Sequence, residues 1–201
     1  MDMMDAGFWD ARYAGTEQLF SGAPNGVLVT EVADMTPGSA LDVGCGEGGD
    51  SLWLAEKGWQ VTALDVSQVA LDRAEALDVA GRIVWKQADL SARAPEFGPF
   101  DLVSAQYFPA VRQPDHATIR GLLGAVAPGG TLLIVGHDFA DLPPREELDF
   151  DPDAFYQPAE IADLLGDEWD VEVNETRART APAPAGTHHV SDTVLRARRA
   201  R

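Results

Sequence analysis

Residues 38–50 read GSALDVGCGEGGD, and the rest of the chain is placed relative to them. Ala40, Leu41 and Val43 are apolar enough for a buried strand. Gly44, Gly46, Gly48 and Gly49 then remove the Cβ atoms that would stop a backbone turning tightly against a ligand. The next residues, SLWLAEKG, carry a helical pattern. A strand, a glycine turn and a helix in that order aim the free N–H groups of the helix's first turn at whatever lies over the end of the strand.

Outward from this turn, apolar strands and helical stretches alternate. Strands are predicted over 40–43, 60–64, 82–86, 100–105 and 131–135. Helices are predicted over 50–57, 68–79 with Ser67 as its cap, and 115–126, closed by Pro128-Gly129-Gly130. Such alternation predicts an α/β fold whose parallel sheet is buried on both faces, a doubly wound Rossmann-like architecture. Before it, residues 1–37 form a helical lead-in whose segment FWDARYAGTEQLF mixes rings with charges, as an amphipathic cap does. After the core at 38–136 comes a stretch with four prolines, 137–158, expected as a long irregular loop or lid. A short helix at 159–165 and strands over 169–177 and 188–196 complete the pattern, the last two as an antiparallel hairpin. With 201 residues, 45% of them hydrophobic, the chain suits one α/β domain and is too short for two.

A formal charge of −18 opposes phosphate backbones and anionic lipid, so a small-molecule substrate is expected, with no nucleic acid and no membrane. The lone Cys45 excludes an internal disulfide, and the opening MDMMDAGFWD lacks an apolar signal region, which points to a cytoplasmic protein. No His/Cys cluster has metal-ligand spacing, so no metal is expected.

The glycines satisfy two patterns: Gly44, Gly46 and Gly49 have dinucleotide-binding spacing, whereas Gly44, Gly46 and Gly48 have the GxGxG spacing of S-adenosylmethionine sites. Asp42 separates them. A carboxylate near the strand's end opposes a pyrophosphate and suits a ligand bearing an ammonium and a sulfonium. Asp65, at the tip of the second strand, can accept from both ribose hydroxyls in either kind of site. Asp89, just past the third strand, can accept from the exocyclic amine of adenine while Val66 and Leu90 flank the ring. A nicotinamide-dependent oxidoreductase is therefore the alternative, and a protein that holds the cofactor without turnover is a third reading.

LDVGCGEGG, TALDVS, QADL, FDLVSAQYFP and APGGTLLIV stand in the order of the motifs of class I S-adenosylmethionine-dependent methyltransferases, which residues ~38–136 resemble. The resemblance implies a seven-stranded sheet, mostly parallel with an antiparallel last strand, and S-adenosylmethionine as cofactor. It also implies site residues. Asp42, Gly44 and Gly46, with Cys45 between them, would line the methionine and ribose portion; Asp65 would hold the ribose, Asp89 would meet adenine, and Gln106 would lie beside the cofactor. FWDARYA and HHVSDTVLRARR are similar to the small bacterial tellurite-resistance and thiopurine-type enzymes. In those an N-terminal aromatic helix covers the cofactor, which makes Trp9 and Arg12 candidates, with Phe8 and Tyr13 beside them. Because AQYFPA replaces an NPPY-like run after the fourth strand, methylation of nucleic-acid or glutamine amino groups is disfavoured.

Transfer from a sulfonium needs positioning and desolvation above all, and a general base only if the nucleophile arrives protonated. Tyr107, His116, His137, His188 and His189 are the possible bases. His137 ranks first because it lies just past the fifth strand, with Tyr107 beside it. His188 and His189, at the start of the final strand, would point to opposite faces. Cys45 has no sequence-adjacent base and is expected to be unreactive.

Overall fold

A computed structural model describes residues 4–90, 98–180 and 189–201. At its centre β1 (Ser39–Val43) pairs in parallel with β2 (Gln60–Asp65) on one side and β4 (Phe100–Gln106) on the other. β3 (Val84–Gln87) extends the sheet beyond β2, and β5 (Val126–His137) extends it beyond β4. β7 (Ser191–Arg199) lies antiparallel between β5 and the edge strand β6 (Trp169–Ala178), completing the order β3-β2-β1-β4-β5-β7-β6. This is the expected seven-stranded Rossmann-like sheet, with β7 the one reversed strand. The chain order turns around between β1 and β4, and ligands of open α/β sheets bind beyond the carboxyl ends of the strands at such a point.

Strand alternation divides the core into two layers. Leu41 and Val43 of β1 face α5 (Ala117–Ala125) and α6 (Pro158–Ala162), packing with Ile119, Leu122 and Ile161. Ala40 faces the opposite layer, with Leu28 of α2 (Gly26–Val32) and Leu54 of α3 (Gly49–Glu56). Asp42 shares the parity of Ala40, so its carboxylate also points toward α3, where it accepts a hydrogen bond from the Ser51 hydroxyl. α4 (Gln68–Leu77) begins at Ser67, whose Oγ accepts from Ala70 N as the expected cap.

Three boundaries depart from the pattern. Pro128-Gly129-Gly130 does not precede the fifth strand but lies inside β5, where Val126 pairs with Phe100 and Thr131 with Leu102, a register shift that absorbs the proline. β7 starts at Ser191, so His189 precedes the strand instead of opening it, and His188 lies outside the described residues. Residues 138–157, between β5 and α6, contain three single 3-10 turns. They are also tied down: Val111 bridges Phe155, and Arg112 donates to the carbonyls of Asp153 and Phe155.

The N-terminal segment is fastened across the carboxyl edge of the sheet. α1 (Ala6–Ala14) is capped by Asp5, which accepts from Phe8 N. Asp10 accepts from the Ser67 hydroxyl at 2.6 Å and from Val69 N at 3.2 Å, binding α1 to the start of α4. Arg73 of α4 donates to the carbonyls of Tyr13 and Thr16. Among the described residues no helix is long and apolar enough to cross a membrane.

Candidate active site

The turn after β1 closes on β2: the N–H groups of Gly44 and Cys45 both donate to the Leu64 carbonyl, at 2.8 and 2.9 Å. Gly44 and Gly46 hold φ of 70° and 53°, the left-handed region that disfavours side chains. Space forbids them as well. A Cβ on Gly44 would come 3.0 Å from the Phe108 ring, and one on Gly46 would come 2.9 Å from the Tyr13 hydroxyl oxygen. The backbone thus runs bare along one side of a cavity of about 430 Å³ that lies over the carboxyl ends of the strands.

Two walls enclose this cavity. Gly44, Cys45, Gly46, Asp65, Val66, Asp89 and Leu90 form one, at the tips of β1, β2 and β3; the N-terminal segment roofs it with Trp9, Tyr13 and Phe20. Gln106, Tyr107, Phe108, His137 and Arg179 form the other, past β4, β5 and β6. Most of the residues singled out from sequence therefore meet in one space. Asp42 and Arg12 do not line it. Asp42 is 1% exposed and enclosed beneath the turn against Ser51. Arg12 is exposed, its guanidinium 5.8 Å from the centre of the Trp9 ring, on the outer side of the helix. Phe8 packs edge-on to Trp9 and also stays off the cavity. His116 is engaged elsewhere, its Nδ1 against the Tyr156 hydroxyl.

Asp65 is 8% exposed, and each of its oxygens accepts one backbone hydrogen bond, Oδ2 from Gly46 N and Oδ1 from Ser67 N, both at 2.8 Å. Burial pushes its carboxyl up against the downward pull of these donors. Gln106 donates through Nε2 to Ser104 Oγ at 3.0 Å, while its buried Oε1 has no partner among the described residues. Asp42 is pushed up by burial and by the nearby Asp50, and Cys45 by burial, so its thiol is unreactive at neutral pH.

His137 differs from the expected base. Burial, His189 and the Arg179 guanidinium bring its pKa down to about 3. Its ring is stacked between Tyr107, at 4.4 Å, and His189, at 3.6 Å. The Tyr107 hydroxyl donates to Asp192 Oδ1 at 2.9 Å, and burial and Asp192 raise its pKa above the ordinary phenol value. Neither group is poised to take a proton near pH 7.

Sequence reasoning missed several residues. Glu47, inside the glycine turn, accepts from the N–H groups of Leu19 and Phe20 and pairs with Arg73 at 2.9 Å, latching the roof to the turn. Asp50 accepts two hydrogen bonds from Asn25, at 2.7 and 2.8 Å. Arg179 belongs to the second wall, and the buried Asp192 pairs with it. A hint existed for Glu47 and Asp50, acids inside and just after a glycine turn; for Arg179 none did.

Residues 40–130 match the family model of a methyltransferase domain. A probable chloroplastic tocopherol O-methyltransferase of Oryza sativa subsp. japonica is 33% identical over 59% of this chain and 34% of its own length. The chain thus spans about a third of that relative. A solved structure concerned with converting a disulfide bond into a thioacetal group during echinomycin biosynthesis superposes with TM-score 0.76 and 25% identity, covering 97% of this chain and 91% of the other. TehB of Haemophilus influenzae shares the fold, with TM-score 0.65 and 18% identity over 96% of this chain and 66% of the other. None of these findings supports the oxidoreductase alternative.

Proposed function

We propose that this chain is an S-adenosylmethionine-dependent methyltransferase that transfers the methyl group of that cofactor to a small-molecule acceptor. The observation that carries the reading is the single cavity in which the glycine turn, Asp65, Asp89 and the unpartnered Gln106 Oε1 meet. The residues fit the cofactor's chemistry. Asp65 has one lone pair on each oxygen committed to a backbone donor and keeps the others for the two ribose hydroxyls. Asp89 supplies an acceptor for the adenine amine, between the apolar faces of Val66 and Leu90. Gln106 Oε1, buried without a donor among the described residues, suits the N–H groups of an ammonium; an unmet acceptor there costs about 1–3 kcal/mol.

When bound, S-adenosylmethionine supplies a methyl group already activated by its sulfonium. What the chain supplies is placement and dryness. Trp9, Tyr13 and Phe20 close the cavity over the turn, and Glu47 with Arg73 holds that roof in place. Asp42 acts indirectly, bracing the turn through Ser51. A roofed cavity and a charge of −18 both favour a small acceptor over a polyanion. The finer likeness to tellurite-resistance and thiopurine-type enzymes rests on the FWDARYA segment and on the fold shared with TehB.

Calorimetric titration with S-adenosylhomocysteine tests the reading: the full chain binds, and Asp65→Ala weakens binding by about tenfold or more. Absence of binding to the parent protein overturns it.

A further inference from the structure

The second wall of the cavity carries information about the acceptor, an inference that rests on the methyl-transfer reading. Arg179 directly follows β6, and its side chain is only 11% exposed. Its Nη1 lies 3.3 Å from Asp192 Oδ1 and 3.3 Å from His137 Nδ1, and its guanidinium sits 5.1 Å from the centre of the Tyr107 ring. Both contacts fall on the same nitrogen. Nε, on the opposite edge of the group, is buried and has no acceptor among the described residues. A guanidinium presents its donors in a rigid plane, so it cannot turn to satisfy that edge without releasing Asp192.

The neighbours fix what this wall can offer. An arginine only donates, so His137 Nδ1 must accept from it, and the neutral ring carries its proton on Nε2. The Tyr107 hydroxyl is committed as donor to Asp192. Arg179 and His137 therefore face the cavity as donors, one of them charged, and none of the three side chains is placed to take a proton. In a chain with 33 acids against 15 Lys and Arg, burying a cation at this position is the departure to be explained. A neutral or cationic acceptor would leave it unused, whereas a carboxylate matches the forked geometry of the guanidinium.

We propose that the small-molecule acceptor carries a carboxylate, which Arg179 receives with His137 as a second donor, fixing the acceptor's orientation toward the cofactor. Asp192, buried and off the cavity, positions the arginine, and the Tyr107 ring lies against the guanidinium.

The test uses the full chain saturated with S-adenosylhomocysteine, titrated with acetate, propionate and benzoate and with the matching amides, binding being followed by ligand-observed NMR. At least one acid is expected to bind fivefold or more tightly than its amide. Arg179→Gln should abolish that preference and Arg179→Lys retain part of it, both binding S-adenosylhomocysteine within twofold of the parent. The proposal is overturned if no acid is preferred over its amide in the parent protein, a comparison that needs no variant, or if the preference survives Arg179→Gln. Failure of the parent to bind S-adenosylhomocysteine is a separate result and removes the methyl-transfer reading with it.

Discussion

The two walls of the cavity are built on opposite plans. Around the glycine turn the ligand-facing groups are bare backbone and carboxylates, contributed by strand tips and by a turn closed through neighbouring N–H and C=O groups. Past β4, β5 and β6 they are a cation, an imidazole and rings, joined by contacts between residues as far apart as Tyr107 and Asp192. The first wall is held by backbone bonds from the turn to the end of β2, whereas the second brings together side chains from β5, β7 and the residues past β4 and β6. A shared cofactor suits the first plan and a particular acceptor suits the second, because distant segments can change without disturbing the turn.

The sharpest way to break this contrast is at Gly46. Gly46→Val places a branched side chain at positive φ and against the Tyr13 hydroxyl, and is expected to weaken S-adenosylhomocysteine binding by about a hundredfold or more; calorimetry on protein whose circular dichroism is unchanged measures it. An intact affinity would mean that the turn is not the cofactor's cradle.

Arg73→Ala comes next. It leaves Glu47 buried with only N–H donors and frees the Tyr13 and Thr16 carbonyls, so thermal unfolding should reveal a loss of about 2 kcal/mol. Hydrogen exchange should rise first in α1, which sits at the weakly held end of the first wall.

Asp42→Asn separates bracing from binding. Burial and Asp50 raise the native carboxyl, so as pH climbs above the ordinary value of about 4 the unfolded chain ionises first. The parent therefore loses stability as pH rises toward the raised native value, and the asparagine variant lacks that slope. Melting curves between pH 4 and pH 8 compare the two. Because Asp42 does not line the cavity, cofactor affinity should change by less than about threefold.

A small effect is likewise expected at His137. Its pKa of about 3 keeps the ring neutral between pH 6 and 8, so the turnover number should show no inflection there, and His137→Phe should lower it by less than about tenfold. An inflection lost in the variant would restore His137 as a base. For folding the sign is opposite to that at Asp42: the unfolded imidazole takes a proton first as pH falls below about 6.5, so the native state loses stability on acidification.

How much was legible follows from range. Asp65 and Asp89 lie on the cavity, one ending β2 and the other two residues past β3, short strands whose direction the alternating pattern already sets. Arg12 was misplaced by the same local reasoning, since a nine-residue helix shows its spacing but not which side meets the sheet. Asp42 was read as facing a ligand because it precedes the turn, although alternation from Ala40 sends it toward Ser51. His137 is legible but its chemistry is not: its pKa is depressed by burial first, and then by His189 and Arg179, which arrive from the far end of the chain.

From the order of its residues alone this protein had a sheet direction, a glycine cradle and acids at the tips of successive strands, since these depend on spacings of a few residues and on alternation. Tertiary structure decided which carboxylate is buried beneath the turn and which faces the cavity, and how the roof is latched. It also turned the imidazole expected as a base into a donor beside a buried arginine. Burial and the approach of charges across β5, β7 and β6 set those properties, and neither has a local spelling.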